Sequence, residues 1–486
     1  MTLNIRTRVG PSPTGDPHIG TAYIALFNYM FAQKYNGAFL IRIEDTDKNR
    51  YNKGSEFKIL KFLKWLKLDW QEGPDIGGEY GPYRQSDRLH YYLKYTYYLL
   101  NKGFAYWCSC NKYKLTKLKL RQISKSHPTQ YNKCCLKKSK HQVMMEILSS
   151  AEGGVVRLNV PKTGNTYFYD IIRGKIFINN LSIDDQILIK NDGFPTYHLA
   201  NVVDDHLMKI THIIRGEEWL TSTAKHILLY NAMGFKIPYF CHLPLLRSLN
   251  KEKISKRKNN ASLEYYKKIG MLPQTIKNFL ASISLSGCIK KEIFSLNECI
   301  KSFSLQYVSL GSPVFDVNKL IWLNGRYIRE QLNEFNSAKY IIGMHCPLKY
   351  MCMIVPLVRD RIEKHHDLFE YVNFFFTAKK SLMYTDQCTI ETLNRRTTKK
   401  IYIHLIKNLK NIQKYTAQNI KKSLNDFCDA YYFKRQLFLM KVRFLITGTE
   451  KATPLFLTMS ILGKKESQNR IEAIISRLNI DLKSIN

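Results

Sequence analysis

No run of eighteen or more uninterrupted apolar residues occurs in the sequence, which argues against a membrane-spanning helix. The N-terminus, Met1-Thr2-Leu3-Asn4-Ile5-Arg6, lacks the charged-then-apolar layout of a secretory signal, so a cytoplasmic protein is expected. Cysteines number eleven, an odd and scattered set that reads as reduced thiols or metal ligands rather than a disulfide framework. A Gly-rich run ending in Gly-Lys-Ser/Thr is missing, so a nucleotide site here cannot be a P-loop. Acidic residues are scarce: 39 Asp and Glu face 75 Lys and Arg, a formal net charge of +36. Such a surface favours polyanions, nucleic acid first. The plainer reading is biased base composition in the coding DNA, because the chain is also rich in Ile, Asn and Tyr. Charge alone therefore does not identify a partner.

At 486 residues the chain has room for about three domains. Its opening is the clearest pattern. Asn4 to Val9 alternates and reads as a strand, and Gly10 to Pro17 is a loop. His18 to Tyr35 carries apolar residues at helical spacing and is stopped by Asn36-Gly37, and Phe39 to Ile43 is a short buried strand. Together these form one parallel crossover, the unit of a doubly wound nucleotide-binding sheet. The grammar returns at Ile210 to Arg215, a strand, with Gly216-Glu217-Glu218-Trp219 leading into a helix that ends at Gly234. A lysine-rich stretch with clustered cysteines separates the halves, and after about residue 335 amphipathic helical segments take over. The expected fold is α/β: a split Rossmann-like doubly wound parallel sheet with an α+β insertion, followed by C-terminal all-helical domains. The expected divisions are 1–90 with 192–240 for the sheet, 91–191 for the insertion, then 241–335 and 336–486.

Two elements carry chemistry. In the loop Pro11-Ser12-Pro13-Thr14-Gly15-Asp16-Pro17-His18-Ile19-Gly20, prolines stiffen the path, and Gly15 and Gly20 let a bound group approach the backbone. His18 falls at a helix start, where free N–H groups and the dipole favour phosphate, although a lone histidine there is more often structural. The second element, Lys253-Ile254-Ser255-Lys256-Arg257-Lys258, is by itself a common basic surface run. Arg8, Glu44 and Arg215 each sit at the carboxyl end of an expected strand, where open α/β sheets bind ligands; the plainer alternative pairs Arg8 with Glu44 as an ion pair.

The loop ending in His18-Ile19-Gly20-Thr21 resembles the HIGH signature of class I aminoacyl-tRNA synthetases, and Lys253 to Arg257 resembles their KMSKS signature. Further segments narrow the resemblance to the bacterial glutamyl-tRNA synthetases: Arg8 to Gly15, Arg42 to Asp47, Glu72-Gly73-Pro74, Tyr83 to Ser86, Tyr197 to His206 and Arg215 to Trp219. The likeness is close over about 1–100 and 185–330 and returns at Arg443 to Gly448, Pro454 and Leu462-Gly463. It implies a glutamate–tRNA ligase that forms glutamyl-adenylate from ATP, with Mg2+, and esterifies the 3′ end of tRNA(Glu). His18, Gly20, Lys253 and Lys256 are the implied catalytic residues, and Lys256 the most important among them. Pro11, Thr14, Gly15, Glu218 and Ser255 join them around ATP. Glu44 is implied to hold the ammonium of L-glutamate, and Arg8, Tyr197 and Arg215 its side-chain carboxylate, with Ser12 and Trp219 completing the wall.

Arg215 bears most on identity, since a guanidinium favours carboxylate over amide. Glutaminyl-tRNA synthetases do not keep arginine there and end in β-barrels; they are the main alternative, together with a non-discriminating enzyme that also charges tRNA(Gln). A shorter paralogue that glutamylates a tRNA base lacks the helical tail, and an inactive tRNA-binding subunit would have broken ATP signatures. Zinc is a further candidate, on Cys108, Cys110 and Cys135 with Cys134 or Tyr131 as fourth ligand and His127 or His141 as weaker options. Lys137 occupies the family's expected histidine position, and a vestigial site is the rival reading. Arg359 and Arg361 resemble anticodon-contacting arginines, or else belong to a solvated helix face. A monomer is expected.

Overall fold

The structure, a computed structural model, describes residues 4–47, 50–252, 254, 261–285, 287, 291–331, 348–376, 396–449 and 453–481. The chain divides into two compact units, residues 1–268 with 273–317, and residues 269–272 with 318–486.

In the first unit β1 (Arg6–Val9) runs through the Pro-rich loop into α1 (Ile19–Lys34) and returns as β2 (Ala38–Ile41), parallel to β1 with Arg8 opposite Leu40. Asn36 takes the left-handed turn after α1, with φ of 52°. The alternation expected of β1 is not what the strand uses. Arg6, Thr7, Arg8 and Val9 are all buried, because a strand inside a parallel sheet is covered on both faces. After α2 (Ser55–Trp65) and α3 (Leu89–Asn101) the chain builds a three-stranded antiparallel sheet from β3 (Ala105–Cys108), β4 (Val155–Leu158) and β7 (Ile187–Ile189). The helices α4 (Lys112–Ser124) and α5 (Lys140–Leu148) lie between β3 and β4 in the chain.

The hairpin β5 (Asn165–Asp170) and β6 (Gly174–Asn179) falls inside the stretch 91–191 expected as an insertion. It joins the other sheet instead, where the order is β6-β5-β9-β8, with β8 (His212–Gly216) and β9 (Tyr239–Leu243) parallel. A single parallel pairing, Asp170 with Phe240, makes that junction. Main-chain bonding between Arg6 O and Thr211 N at 3.0 Å brings β1 to the start of β8. Around these strands α6 (Tyr197–Leu207) and α7 (Thr223–Met233) contribute Leu199, Val202, Val203, Ala224 and Ile227 to a core shared with Leu40, Ile213 and Phe240. The result is a Rossmann-like sheet whose strand ends carry Arg8, Glu44 and Arg215.

In the second unit every described element beyond Val317–Gln331 is helical. Helices Arg396–Lys410, Ala417–Ala430 and Arg435–Thr447 present Tyr402, Leu405 and Leu409, then Ile420, Leu424 and Phe427, then Phe438, Val442 and Leu445 to one core. Spacings of three and four residues put each set on one helix face. Among the described residues, no helix is long and apolar enough to cross a membrane.

Candidate active site

His18 is the N-cap of α1, and its Nδ1 accepts from Gly20 N at 2.9 Å. That bond makes Nε2 the protonated ring nitrogen, suited to donate to an anion at the helix N-terminus. Gly15, at φ of 128°, takes a backbone conformation that a side chain would strain. The loop is tied down by Glu44 N donating to Pro11 O at 3.1 Å and Asn52 N donating to Pro13 O at 2.9 Å. The segment following the basic run is bound to the same place: Ile19 N donates to Ala261 O at 2.9 Å and Leu263 N to Pro17 O at 3.0 Å. Lys253, Ser255 and Lys256 lie outside the described residues; Ile254 between them lines the cleft.

That cleft has a volume of about 1000 Å³ and opens over the strand ends. It collects Pro11, Thr14, Gly15, His18, Gly20 and Glu218 of the expected nucleotide set and Arg8, Ser12, Glu44, Tyr197, Arg215 and Trp219 of the expected amino-acid set. Residues separated by some two hundred positions thus share one cavity.

The Arg8–Glu44 pair considered from sequence does not form. Arg8 gives Nε and Nη2 to the Asp205 carboxylate, at 3.0 and 3.1 Å. Arg42 gives Nη1 to the same carboxylate at 2.6 Å and Nη2 to Glu44 at 3.1 Å. Asn201, with its amide nitrogen turned to Asp205, donates there at 3.1 Å and accepts from Arg42 and Arg8. Next to them Asp204 takes Arg88 Nε at 2.6 Å, Tyr92 at 2.8 Å and Gln85 at 2.9 Å. Burial opposes the charges of Asp205, Arg8 and Arg42, but there the pairing outweighs it. Asp205 is held below its ordinary range by Arg8 and Arg42, and Arg8 above its own by Asp205. At Glu44 burial wins, and its carboxyl is pushed up despite Arg42 and Arg8. A Cβ on Gly10 would come within 2.2 Å of Glu44 Oε1, so only glycine lets that carboxylate lie across the end of β1.

Arg8, Arg42 and Arg88 thus close on Asp204, Asp205 and Glu44, three cations on three anions. Arg215 stands apart. It is buried, and its hydrogen-bond partners are His242 Nε2 at 3.1 Å, Tyr197 Oη at 3.3 Å, His226 Nδ1 at 3.2 Å and Thr223 Oγ1 at 2.8 Å. No carboxylate lies within ion-pair distance of it among the described residues. A buried cation without a counter-ion at the wall of a cavity is a place for an anion. Tyr197 also packs on Trp219, ring centroids 4.1 Å apart, forming an aromatic wall beside it.

Asp205, Arg42, Asn201, Thr223, His226 and His242 were not assigned roles from sequence. Asp205 and Asn201 stood inside a recognised segment, but their partners lie elsewhere in the chain. His226 and His242 carry no local signal, since only the tertiary placement of α7 and of β9 around β8 brings them both to Arg215.

The expected metal ligands do come together. The Sγ atoms of Cys108, Cys110 and Cys135 lie within 4.8 Å of one another. Cys134 Sγ is 3.3 Å from Cys110, and the Tyr131 hydroxyl is 3.3 Å from Cys108 and 3.4 Å from Cys110. His127 and His141 are exposed and outside this group. Arg359 and Arg361 share a single turn and both are exposed, and Arg359 gives Nε and Nη2 to Arg329 O at 3.0 and 2.8 Å.

Residues 4–322 match the family described as tRNA synthetases class I (E and Q), catalytic domain, and residues 328–475 match an anticodon binding domain. Fold and cleft therefore define a class I aminoacyl-tRNA synthetase, an enzyme class that uses ATP. The chain is 41% identical over 474 residues to glutamate–tRNA ligase of Marinomonas sp. strain MWYL1, covering 98% of this chain and 96% of that one. It is 40% identical over 504 aligned positions to glutamate–tRNA ligase of Fusobacterium nucleatum, covering 98% of each. A crystal structure of a glutamate tRNA ligase from Elizabethkingia meningosepticum in complex with its amino acid superposes with a TM-score of 0.82 at 32% identity, covering 98% of this chain and 100% of that one. The chain belongs to the glutamate–tRNA ligase family.

Proposed function

We propose that this family member makes glutamyl-adenylate in the cleft between Arg215 and the N-terminus of α1, then transfers glutamate to the 3′ end of tRNA(Glu). The observation that carries the reading is Arg215, a buried guanidinium with only neutral partners, beside the Glu44 carboxylate in one cavity. Glutamate presents one ammonium and two carboxylates. Glu44 takes the ammonium, and Arg215, Arg8 and Tyr197 take the side-chain carboxylate, with Ser12 and Trp219 as wall. The α-carboxylate then attacks the α-phosphate of ATP and pyrophosphate leaves; the terminal ribose hydroxyl of tRNA next attacks the adenylate carbonyl, giving up its proton, and the acyl–phosphate bond breaks to release AMP. Neither step requires a protein nucleophile, so the contribution of the chain is positioning and charge stabilisation. His18 Nε2–H, Gly20, Lys253 and Lys256 meet the phosphates, and Pro11, Thr14, Gly15, Glu218 and Ser255 shape the nucleotide pocket. Mg2+ enters as the counter-ion of the nucleotide phosphates.

The test is aminoacylation of purified tRNA(Glu) and tRNA(Gln) with labelled glutamate and glutamine. Glutamyl ester on tRNA(Glu) is the expected product; ester with glutamine and not glutamate would overturn the reading. Ester on tRNA(Gln) would identify a non-discriminating member.

Segment 91–191 cradles the acceptor end, residues 241–335 contact the stem, and 336–486 read the anticodon, with Arg359 and Arg361 among the contacts. Unpaired anticodon bases suit stacking and edge hydrogen bonding. The enzyme acts as a cytoplasmic monomer. Three thiols with a fourth thiol or phenol beside them fit tetrahedral zinc, so Cys108, Cys110 and Cys135 with Tyr131 or Cys134 would hold it as a structural ion. Metal analysis of the purified chain, with Cys108→Ser as control, decides: about one equivalent lost in the variant is expected, and a metal-free native chain would leave a vestigial site.

A further inference from the structure

Arg215 is held from four sides, and the chemistry of what holds it is uniform. His242 comes from β9 and keeps its Nδ1–H on Asp170 Oδ2, 2.7 Å away, so its Nε2 is a lone pair facing Arg215 Nε at 3.1 Å. His226 comes from α7, and its Nδ1 faces Arg215 Nη1 at 3.2 Å. A guanidinium only donates, so that nitrogen accepts, and the proton sits on Nε2, which meets His198 Nδ1 at 3.0 Å. Thr223 Oγ1 accepts from Nη2 at 2.8 Å and Tyr197 Oη from Nη1 at 3.3 Å. Burial keeps the imidazoles uncharged: His242 is pushed down to about 4 against the upward pull of Asp170, and His226 lies well below its ordinary value. The carboxylate behind His242, Asp170, is engaged by the far nitrogen of His242 and by its main-chain N–H.

We propose that His226 and His242, with Thr223, are positioning residues that set amino-acid specificity: a cage of neutral acceptors fixes the Arg215 guanidinium without cancelling its charge. This rests on the assignment of Arg215 to the side-chain carboxylate. A carboxylate in the cage would hold the guanidinium equally well, but it would compete with the substrate for the same N–H groups. With dipoles in its place, one positive charge stays buried until an anionic side chain arrives, and an amide of the same shape leaves it uncompensated. Selection of acid over amide would thus depend on residues that do not touch the substrate.

Asn and Asp at position 226 are nearly isosteric, and each puts an oxygen where His226 has Nδ1, so the pair separates charge from shape. In aminoacylation assays His226→Asn should raise the glutamate KM by at most about threefold, while His226→Asp should raise it about 30-fold and narrow the preference for glutamate over glutamine about tenfold. The ATP KM and the kcat at saturating glutamate should move far less. Thr223→Asn and Thr223→Asp repeat the comparison in the first turn of α7, where the helix dipole favours a carboxylate, and they decide the matter if His226→Asp does not fold. Equal glutamate KM values within a folded Asn/Asp pair would overturn the cage. Arg215→Ala runs alongside: an unchanged glutamate KM there would remove the underlying site assignment, whereas a raised KM with matched pairs would remove the cage alone.

Discussion

The two compact units bury charge in very different amounts. The first hides Arg6, Arg8, Arg42, Arg88, Arg157, Arg215, Asp170, Asp185, Asp204, Asp205 and Lys277; in the second, among the described residues, only Arg470 is buried. Arg470 has a structural task, giving Nη1 to Ile446 O and Nη2 to Phe374 O, both at 2.8 Å. The rest of that unit keeps its lysines outside an apolar core of helix faces. Desolvating a charge is expensive, and an arrangement that does it repeatedly must balance each one or hold it for a ligand. In the first unit most are balanced within the chain, and among the described residues Arg215 meets no counter-ion. The contrast separates a region built to bind a small charged substrate from one built of amphipathic helices.

The largest effect expected from breaking this contrast is at Asp205. Asp205→Asn removes the anion shared by Arg8 and Arg42, and should cost about 3 to 5 kcal/mol of stability in the first unit. Denaturant titration followed by tryptophan fluorescence would read it, since all five tryptophans, Trp65, Trp70, Trp107, Trp219 and Trp322, are known and all but Trp322 lie in that unit. Arg215→Cys should instead cost less stability than Asp205→Asn, since it also removes an unbalanced buried charge, and lower kcat/KM for glutamate about 10²-fold, near 3 kcal/mol, while the ATP KM holds. Normal charging by that variant would refute the pocket. Arg470→Leu orphans two carbonyls and should destabilise the second unit by about 2 kcal/mol with the glutamate KM unmoved.

The smallest effect is with pH. His198, His212 and His242 are pushed down to about 4 by burial, and His226 lies well below its ordinary value. Unfolding returns each to about 6.5, so the unfolded chain binds more protons between those values. Their contribution is complete above pH about 6.5 and is lost as pH falls toward 4. The melting temperature of the first unit should decline across that window, with a shallower decline in His212→Phe. An identical slope in the two chains would contradict the assignment.

Much of the catalytic region was legible because its signals are local. A loop stiffened by proline between Val9 and His18, helical spacing to Tyr35 and a left-handed stop at Asn36 specify strand, helix and strand within forty residues. The attachment of the hairpin β5–β6 was not legible, because it is one pairing, Asp170 with Phe240, across seventy residues. Arg359 is a second such case, since its hydrogen bonds to the Arg329 carbonyl join residues thirty positions apart.

The sequence by itself determined which residues stand at strand ends and helix starts, and so which charges could reach a common cavity: Arg8, Glu44, His18 and Arg215 follow from periodicity, turn chemistry and motif. Only the tertiary structure decided how those charges are spent. Asp205 reaches Arg8 from 197 positions away, and His226 and His242 reach Arg215 from a helix and a neighbouring strand. Electrostatic partnership depends on distance in space and on exclusion of water, and neither quantity is set by neighbours along the chain.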